Sequence, residues 1–136
     1  MTDDQKAAIR KTAARVLRIE GQAVTAMADA LPDDFVAAVE AILTTKGRVI
    51  LSGIGKSGHI ARKISSTFAS TGTPSAFVHP AEASHGDLGM VTPGDLTILI
   101  SNSGETAELR DMVDRVARFS IPMVAISGNP DSTLMQ

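Results

Sequence analysis

From residue 48 onward the chain alternates short β-branched runs with stretches of helical periodicity, and that alternation restricts the fold more than any other feature. Arg48–Ser52 (RVILS), Ser75–His79 (SAFVH), Leu96–Ile100 (LTILI) and Pro122–Ser127 (PMVAIS) read as four strands. LTILI is a continuous apolar run rather than an alternating one, the pattern of a strand buried on both faces of a parallel sheet. Helices are expected from about Ser57 to Thr71, where Gly72 can end the first, and from about Glu105 to Phe119. Thr92-Pro93-Gly94-Asp95 reads as a turn. Strands joined by crossover helices predict a parallel α/β domain with its ligands beyond the carboxyl ends of the strands.

Ahead of this domain, Asp3 to Leu31 carries Ile9, Ala13, Val16, Leu17, Val24 and Met27 at helical spacing, with Lys6, Arg10, Arg15 and Arg18 as a solvated face. Leu31-Pro32-Asp33-Asp34 interrupts the pattern, and a second helix is expected from Asp34 to about Thr45. Residues 1–45 are therefore read as helices packing on a domain formed by 46–136. The charge balance of −2 argues against a nucleic-acid surface, and the absence of cysteine removes disulfides and thiolate chemistry. No apolar run approaches the ~20 residues of a membrane span, and MTDDQKAAIR lacks the basic and apolar regions of a signal peptide. The expectation is a cytoplasmic protein with no membrane partner.

Two loops hold the chemistry. SGIGKSGH (52–59) is not a nucleoside-triphosphate loop, because Ile50 stands where that motif needs its first glycine. Gly53, Gly55 and Gly58 fit the G-x-G-x-x-G of a dinucleotide site, but that reading needs an acid at the end of the second strand, and the nearest is Glu82. The loop does offer amides at a helix start beside Lys56 and the Ser57 hydroxyl, which is an anion site; Gly58 could equally serve close packing of helix on sheet. SNSGETAE (101–108) can be read as a cap, with Ser103 at the helix start and Glu105 or Thr106 closing the arrangement. It can also be read as a phosphate cradle of Ser101, Asn102, Ser103, Thr106 and the amide of Gly104 at the positive end of a helix.

SNSGET resembles the phosphosugar-binding signature of sugar isomerase (SIS) domains. GIGKSGHIARK, STGTPSAFVHPAEASHGDLGM and SGNPDSTL resemble, in order and at the same spacing, the arabinose-5-phosphate isomerases of the KpsF/GutQ group. The resemblance spans most of residues 46–134. It implies an SIS-type, flavodoxin-like three-layer fold and the interconversion of ribulose 5-phosphate and arabinose 5-phosphate, on the way to the octulosonate sugar of lipopolysaccharide or capsule. It places Gly55, Ser57, Ser101, Asn102, Ser103, Gly104 and Thr106 around the phosphate. Lys56 and Glu108 fall on a functional lysine and a functional carboxylate, and Gly72, Thr73, His79 and His85 on substrate-lining positions.

Aldose–ketose exchange needs a base to move a proton between neighbouring carbons and a cation to stabilise the enediolate oxygen, roles that suit Glu108 and Lys56. His85 suits donation to the sugar oxygens or ring opening. No cofactor is required. His79 and His85 match no strong ligand spacing, and the zinc that the resemblance allows on His79 is incidental or inhibitory, since proton transfer through an enediolate needs no metal. The family's proteins continue beyond the region matched here, with a further glutamate and histidine and a pair of CBS modules, so activity of this chain alone is in question. A sheet ending at the fourth strand is expected to leave an apolar edge and face open. The partners expected are a small sugar phosphate and further copies of the chain, as a dimer or tetramer. Two other functions remain open: a regulatory SIS module that binds sugar phosphate without turnover, and a dinucleotide-binding fragment.

Overall fold

The computed structural model describes residues 1–83 and 86–136. It divides into two compact units, Met1–Val36 and Ala37–Gln136. The first is dominated by helix α1, Asp3–Asp29, whose start is fixed by a capping box: the Thr2 hydroxyl accepts from the Gln5 N–H at 3.3 Å and the Gln5 side chain accepts from the Thr2 N–H at 2.8 Å. It ends two residues before the expected Leu31, where Pro32 disfavours helix in the residue preceding it. No residue of α1 is buried, and its apolar stripe faces solvent, with Leu17 and Met27 each 67% exposed. Helix α2, Phe35–Thr44, follows the Asp33-Asp34 turn.

The second unit is a four-stranded, wholly parallel sheet of β1 (Val49–Gly53), β2 (Ser75–Phe77), β3 (Leu96–Ser101) and β4 (Met123–Ser127), in the order β2-β1-β3-β4. Helix α3, Gly55–Ser70, crosses from β1 to β2, and helix α5, Arg110–Arg118, from β3 to β4. A single turn, α4 (Pro80–Ala83), follows β2. Because side chains alternate across a strand, the central strands feed two cores. Val49, Leu51, Leu96 and Ile98 pack with Ala61, Ile64 and Phe68 of α3 on one face, while Ile50 and Leu99 pack with Met112 and Val116 of α5 on the other. Every residue of β1 is buried, as the continuous apolar runs require. The edge strand β4 is different: Met123 and Ile126 are exposed.

β2 is shorter than expected, pairing only through Phe77, although the Val78 N–H still reaches the Leu51 carbonyl at 2.9 Å. Gly72 ends α3 as expected. Its φ of +97° lets the Thr73 N–H turn back to the Phe68 carbonyl at 2.9 Å, a Schellman closure. At the amino ends of the strands the Thr92–Asp95 turn forms, with Gly94 at φ +99°. Buried Asp95 accepts from the Arg48 N–H at 2.8 Å and from the Thr92 N–H and hydroxyl at 2.9 and 3.0 Å. Burial raises its pKa, but these hydrogen bonds and the Arg48 charge outweigh it and hold the carboxyl below its ordinary value.

The strand order reverses direction between β1 and β3, which lie side by side. Such a switch point opens a crevice at the carboxyl ends of the two strands, between the loops that follow them.

Candidate functional site

The first wall of the crevice is the start of α3. The helix begins at Gly55, two residues earlier than expected, so Lys56 lies in its first turn rather than before it. Gly55 has φ +56°, a conformation that L side chains rarely adopt. Gly53 and Gly58 serve contact instead. A Cβ on Gly58 would lie 2.5 Å from the Gly53 carbonyl oxygen, and one on Gly53 would lie 2.9 Å from the Ile100 carbonyl. The glycines thus bring a 16-residue helix close down on the sheet. The Gly58 N–H is used by the Ile54 carbonyl at 3.2 Å, but the earlier N–H groups of a helix have no partner within it. These donors, with the helix dipole behind them, suit an anion. Lys56 is exposed and forms no ion pair among the described residues.

The second wall is SNSGET, which does not cap a helix as expected. Residues 102–106 run as a loop, Ala107–Leu109 form a single 3-10 turn, and α5 begins only at Arg110. The reason lies 28 residues downstream. Both oxygens of the Glu105 carboxylate accept from Thr133, at 2.7 Å from its N–H and 2.7 Å from its hydroxyl, so the acid is turned away from any capping box. These bonds hold the Glu105 pKa below its ordinary value. The whole segment after β4 grips the loop in the same way. The Gly128 N–H donates to the Asn102 carbonyl at 3.1 Å and the Leu134 N–H to the Gly104 carbonyl at 3.1 Å. Fully buried Ser132 lies against Gly104, which takes φ +70°.

Within the loop, the buried Ser101 hydroxyl accepts from the Gly104 N–H at 3.0 Å and lies 2.7 Å from the Thr106 hydroxyl. Whichever of the two donates, one of their two protons is used between them and one is left to donate elsewhere. The Ser103 hydroxyl accepts from the Glu105 N–H at 3.2 Å and keeps its own proton. The N–H groups of Ser103 and Thr106 meet no protein acceptor among the described residues.

The residues predicted from sequence do not all converge. Lys56, Ser57 and Asn102 line one open groove, together with Ser127 and Gly128 at the end of β4. Gly104 and Thr106 line a separate pocket, together with Glu105, Arg110, Thr133 and Leu134. Glu108 is exposed on the 3-10 turn and lines neither. His79 lies beyond the carboxyl end of β2, half-buried, where its Nδ1 accepts from the Ala81 N–H at 3.3 Å. A neutral ring accepting at Nδ1 carries its proton on Nε2. Among the described residues no group of three or more His, Cys, Asp or Glu side chains gathers to hold a metal ion. His85 lies outside the described residues. Gly72 and Thr73 lie at the other end of α3, about 24 Å from Lys56 at 1.5 Å per residue, and so at the amino ends of the strands. Ser127, Gly128 and the Glu105–Thr133 pair were missed, although SGNPDST is a polar loop at the carboxyl end of a parallel strand, where ligands are expected.

The crevice between β1 and β3, with its two donor-rich loops, can be set against known proteins. The SIS domain model matches residues 42–136. The chain belongs to the SIS domain family. It is 50% identical over 123 residues to the arabinose 5-phosphate isomerase KdsD of Pseudomonas aeruginosa, covering 90% of this chain and 38% of that protein. The Escherichia coli K12 protein of the same name is 49% identical over 119 residues, covering 88% and 36%. The chain thus spans well under half the length of these curated relatives. Among solved structures, an E. coli protein in complex with a sugar phosphate superimposes with a TM-score of 0.88 at 39% identity, covering 99% of this chain and 70% of that one. Phosphoheptose isomerase GmhA from Neisseria gonorrhoeae, at 16% identity and a TM-score of 0.74, shares the fold.

Proposed function

We propose that this SIS domain carries the sugar-phosphate site of an aldose–ketose isomerase that interconverts ribulose 5-phosphate and arabinose 5-phosphate through an enediolate. The observation that carries the reading is the groove at the carboxyl ends of β1 and β3, where Lys56 and Ser57 of the first loop face Asn102 of the second, and where Lys56 forms no ion pair among the described residues. Half-identity to proteins named arabinose 5-phosphate isomerase supports the choice of sugar.

In this reading the phosphate takes the N–H groups at the start of α3, the Ser57 hydroxyl, and the Ser103 and Thr106 donors, with Asn102 beside them. Ser101 acts mainly from beneath, through its bonds to Gly104 and Thr106. A dianion is well matched by neutral donors at a helix start, because no counter-charge has to be desolvated. Lys56 then stabilises the oxygen that becomes negative as the enediolate forms, a charge absent from the ground state. Glu108 is the proposed base. Gly72 and Thr73 can reach the same substrate only from another copy, since one five-carbon molecule cannot bridge the length of α3. The proposal therefore includes a homo-oligomer, dimer or tetramer, working in the cytoplasm, where such sugar phosphates are made and consumed. His79 and His85 are assigned to the sugar.

The test is incorporation of solvent deuterium at C1 or C2 of arabinose 5-phosphate, followed by NMR beside a thermal-shift titration with arabinose 5-phosphate, arabinose and NAD. Stabilisation by the sugar phosphate alone, with exchange that Lys56→Ala slows more than it weakens binding, is the expected result. Glu108→Gln should bind and fail to exchange. Binding without exchange in the unaltered protein would favour a regulatory module, and stabilisation by NAD would overturn the assignment.

A further inference from the structure

Glu105 presents a difficulty for a phosphate loop, because it places a carboxylate two residues from Ser103 and next to Thr106. Like charges a few ångströms apart near a protein surface repel appreciably. Both carboxylate oxygens accept from Thr133, so the acid is tied to the segment after β4.

The same segment also sets which way the loop's peptides face. In a planar trans peptide the C=O and the following N–H point in opposite directions. The Asn102 carbonyl is held by the Gly128 N–H, so the Ser103 N–H points away from the 127–134 segment. The Gly104 carbonyl is held by the Leu134 N–H, so the Glu105 N–H likewise points away, to the Ser103 hydroxyl that it meets at 3.2 Å. Thr133 adjoins Leu134, and its bonds to Glu105 are the side-chain link that holds this register.

We infer that Glu105 is a positioning residue of the phosphate site: by gripping Thr133 it locks the segment after β4 onto SNSGET and so aims the Ser103 N–H at the anion. The inference rests on the phosphate reading of this loop. Glu105 itself touches no substrate. Its role is to hold the shape in which neutral donors, rather than carbonyls or its own charge, face the ligand.

Titration with inorganic phosphate and with arabinose 5-phosphate, followed by ¹⁵N amide shifts of Ser103 and Thr106 and by calorimetry, tests it. Glu105→Ala and Glu105→Gln should each weaken both ligands about tenfold, since Gln offers one acceptor where two are needed. Thr133→Val should weaken them less, and Thr133→Ser should bind within about twofold of the unaltered protein because it keeps both donors. Glu105→Ala combined with Thr133→Val should be no worse than Glu105→Ala alone, as expected of partners in one interaction. Melting temperature should hardly move in Thr133→Ser and Glu105→Gln, which separates positioning from loss of fold. If the unaltered protein binds neither probe, the phosphate reading itself fails. If it binds and Glu105→Ala binds equally well or more tightly, the carboxylate is a bystander or a mere repulsion, and the inference is overturned.

Discussion

Replacing Gly104 by alanine tests the packing beneath the phosphate loop in a way that separates two causes. At φ +70° an L residue costs roughly 1–2 kcal/mol through its own backbone. The added Cβ would also run into the Cβ and Oγ of Ser132. Ser132 cannot step aside easily, since it is fully buried and its hydroxyl donates to the Asn129 carbonyl at 2.7 Å. Overpacking of that kind costs a further ~1–3 kcal/mol. Alanine restricts the unfolded chain and returns about 0.4–1 kcal/mol, leaving a net loss of about 1–4.5 kcal/mol. Ser132→Gly alone should cost about 1–2 kcal/mol, for one hydrogen bond and added chain freedom. In the double variant the obstructing atoms are gone and only the backbone cost remains. The two losses should therefore combine to about 1–3 kcal/mol less than their sum. Urea unfolding of the four proteins measures this directly. Strictly additive losses would mean that Ser132 does not press on Gly104, and the account of the cradle's floor would have to be abandoned.

Two other perturbations probe the ends of the sheet. Asp95→Asn should cost about 2–3 kcal/mol at pH 7, because an amide presents a donor to one of the groups that now donate to the carboxylate. The folded-state pKa of Asp95 is lowered, so its contribution is complete above the unfolded-state value and is lost as pH falls through the folded one. Urea midpoints of the unaltered protein and the variant should then converge below about pH 4, and a constant gap down to pH 2 would refute the mechanism. Gly58→Ala drives a Cβ to 2.5 Å from the Gly53 carbonyl, backbone against backbone, and should cost about 3 kcal/mol and weaken phosphate binding as α3 lifts from β1. A melting temperature within a degree or two of the parent would show that the helix start has slack.

The strands were legible because burial on both faces leaves few alternatives: Val49–Leu51 and Leu96–Leu99 must feed two cores at once, and their composition says so. The SGIGKSGH loop was legible for a local reason, since Gly53 and Gly58 meet within one turn. SNSGET was only half legible. Its residue types announced an anion site, but Ser103 followed by Glu105 and Thr106 also spells a helix cap, and nothing nearby in sequence reveals that Thr133 takes the acid. The helix expected from Glu105 therefore begins only at Arg110, for that long-range reason. Thr73 was assigned by resemblance alone, with no term for where α3 would carry it. Helix length, readable from the pattern, already implied that residues on either side of α3 stand apart.

The grip of residues 127–134 on SNSGET also bears on how the molecule keeps its affinity. β1 and β3 pair with each other directly, whereas the loop between β3 and α5 takes part of its hold from Gly128, Ser132 and Leu134. In the native protein, a brief detachment of that last segment would erase the site while leaving the sheet intact, so ligand occupancy and the hydrogen-exchange protection of Gly128 and Leu134 should rise and fall together.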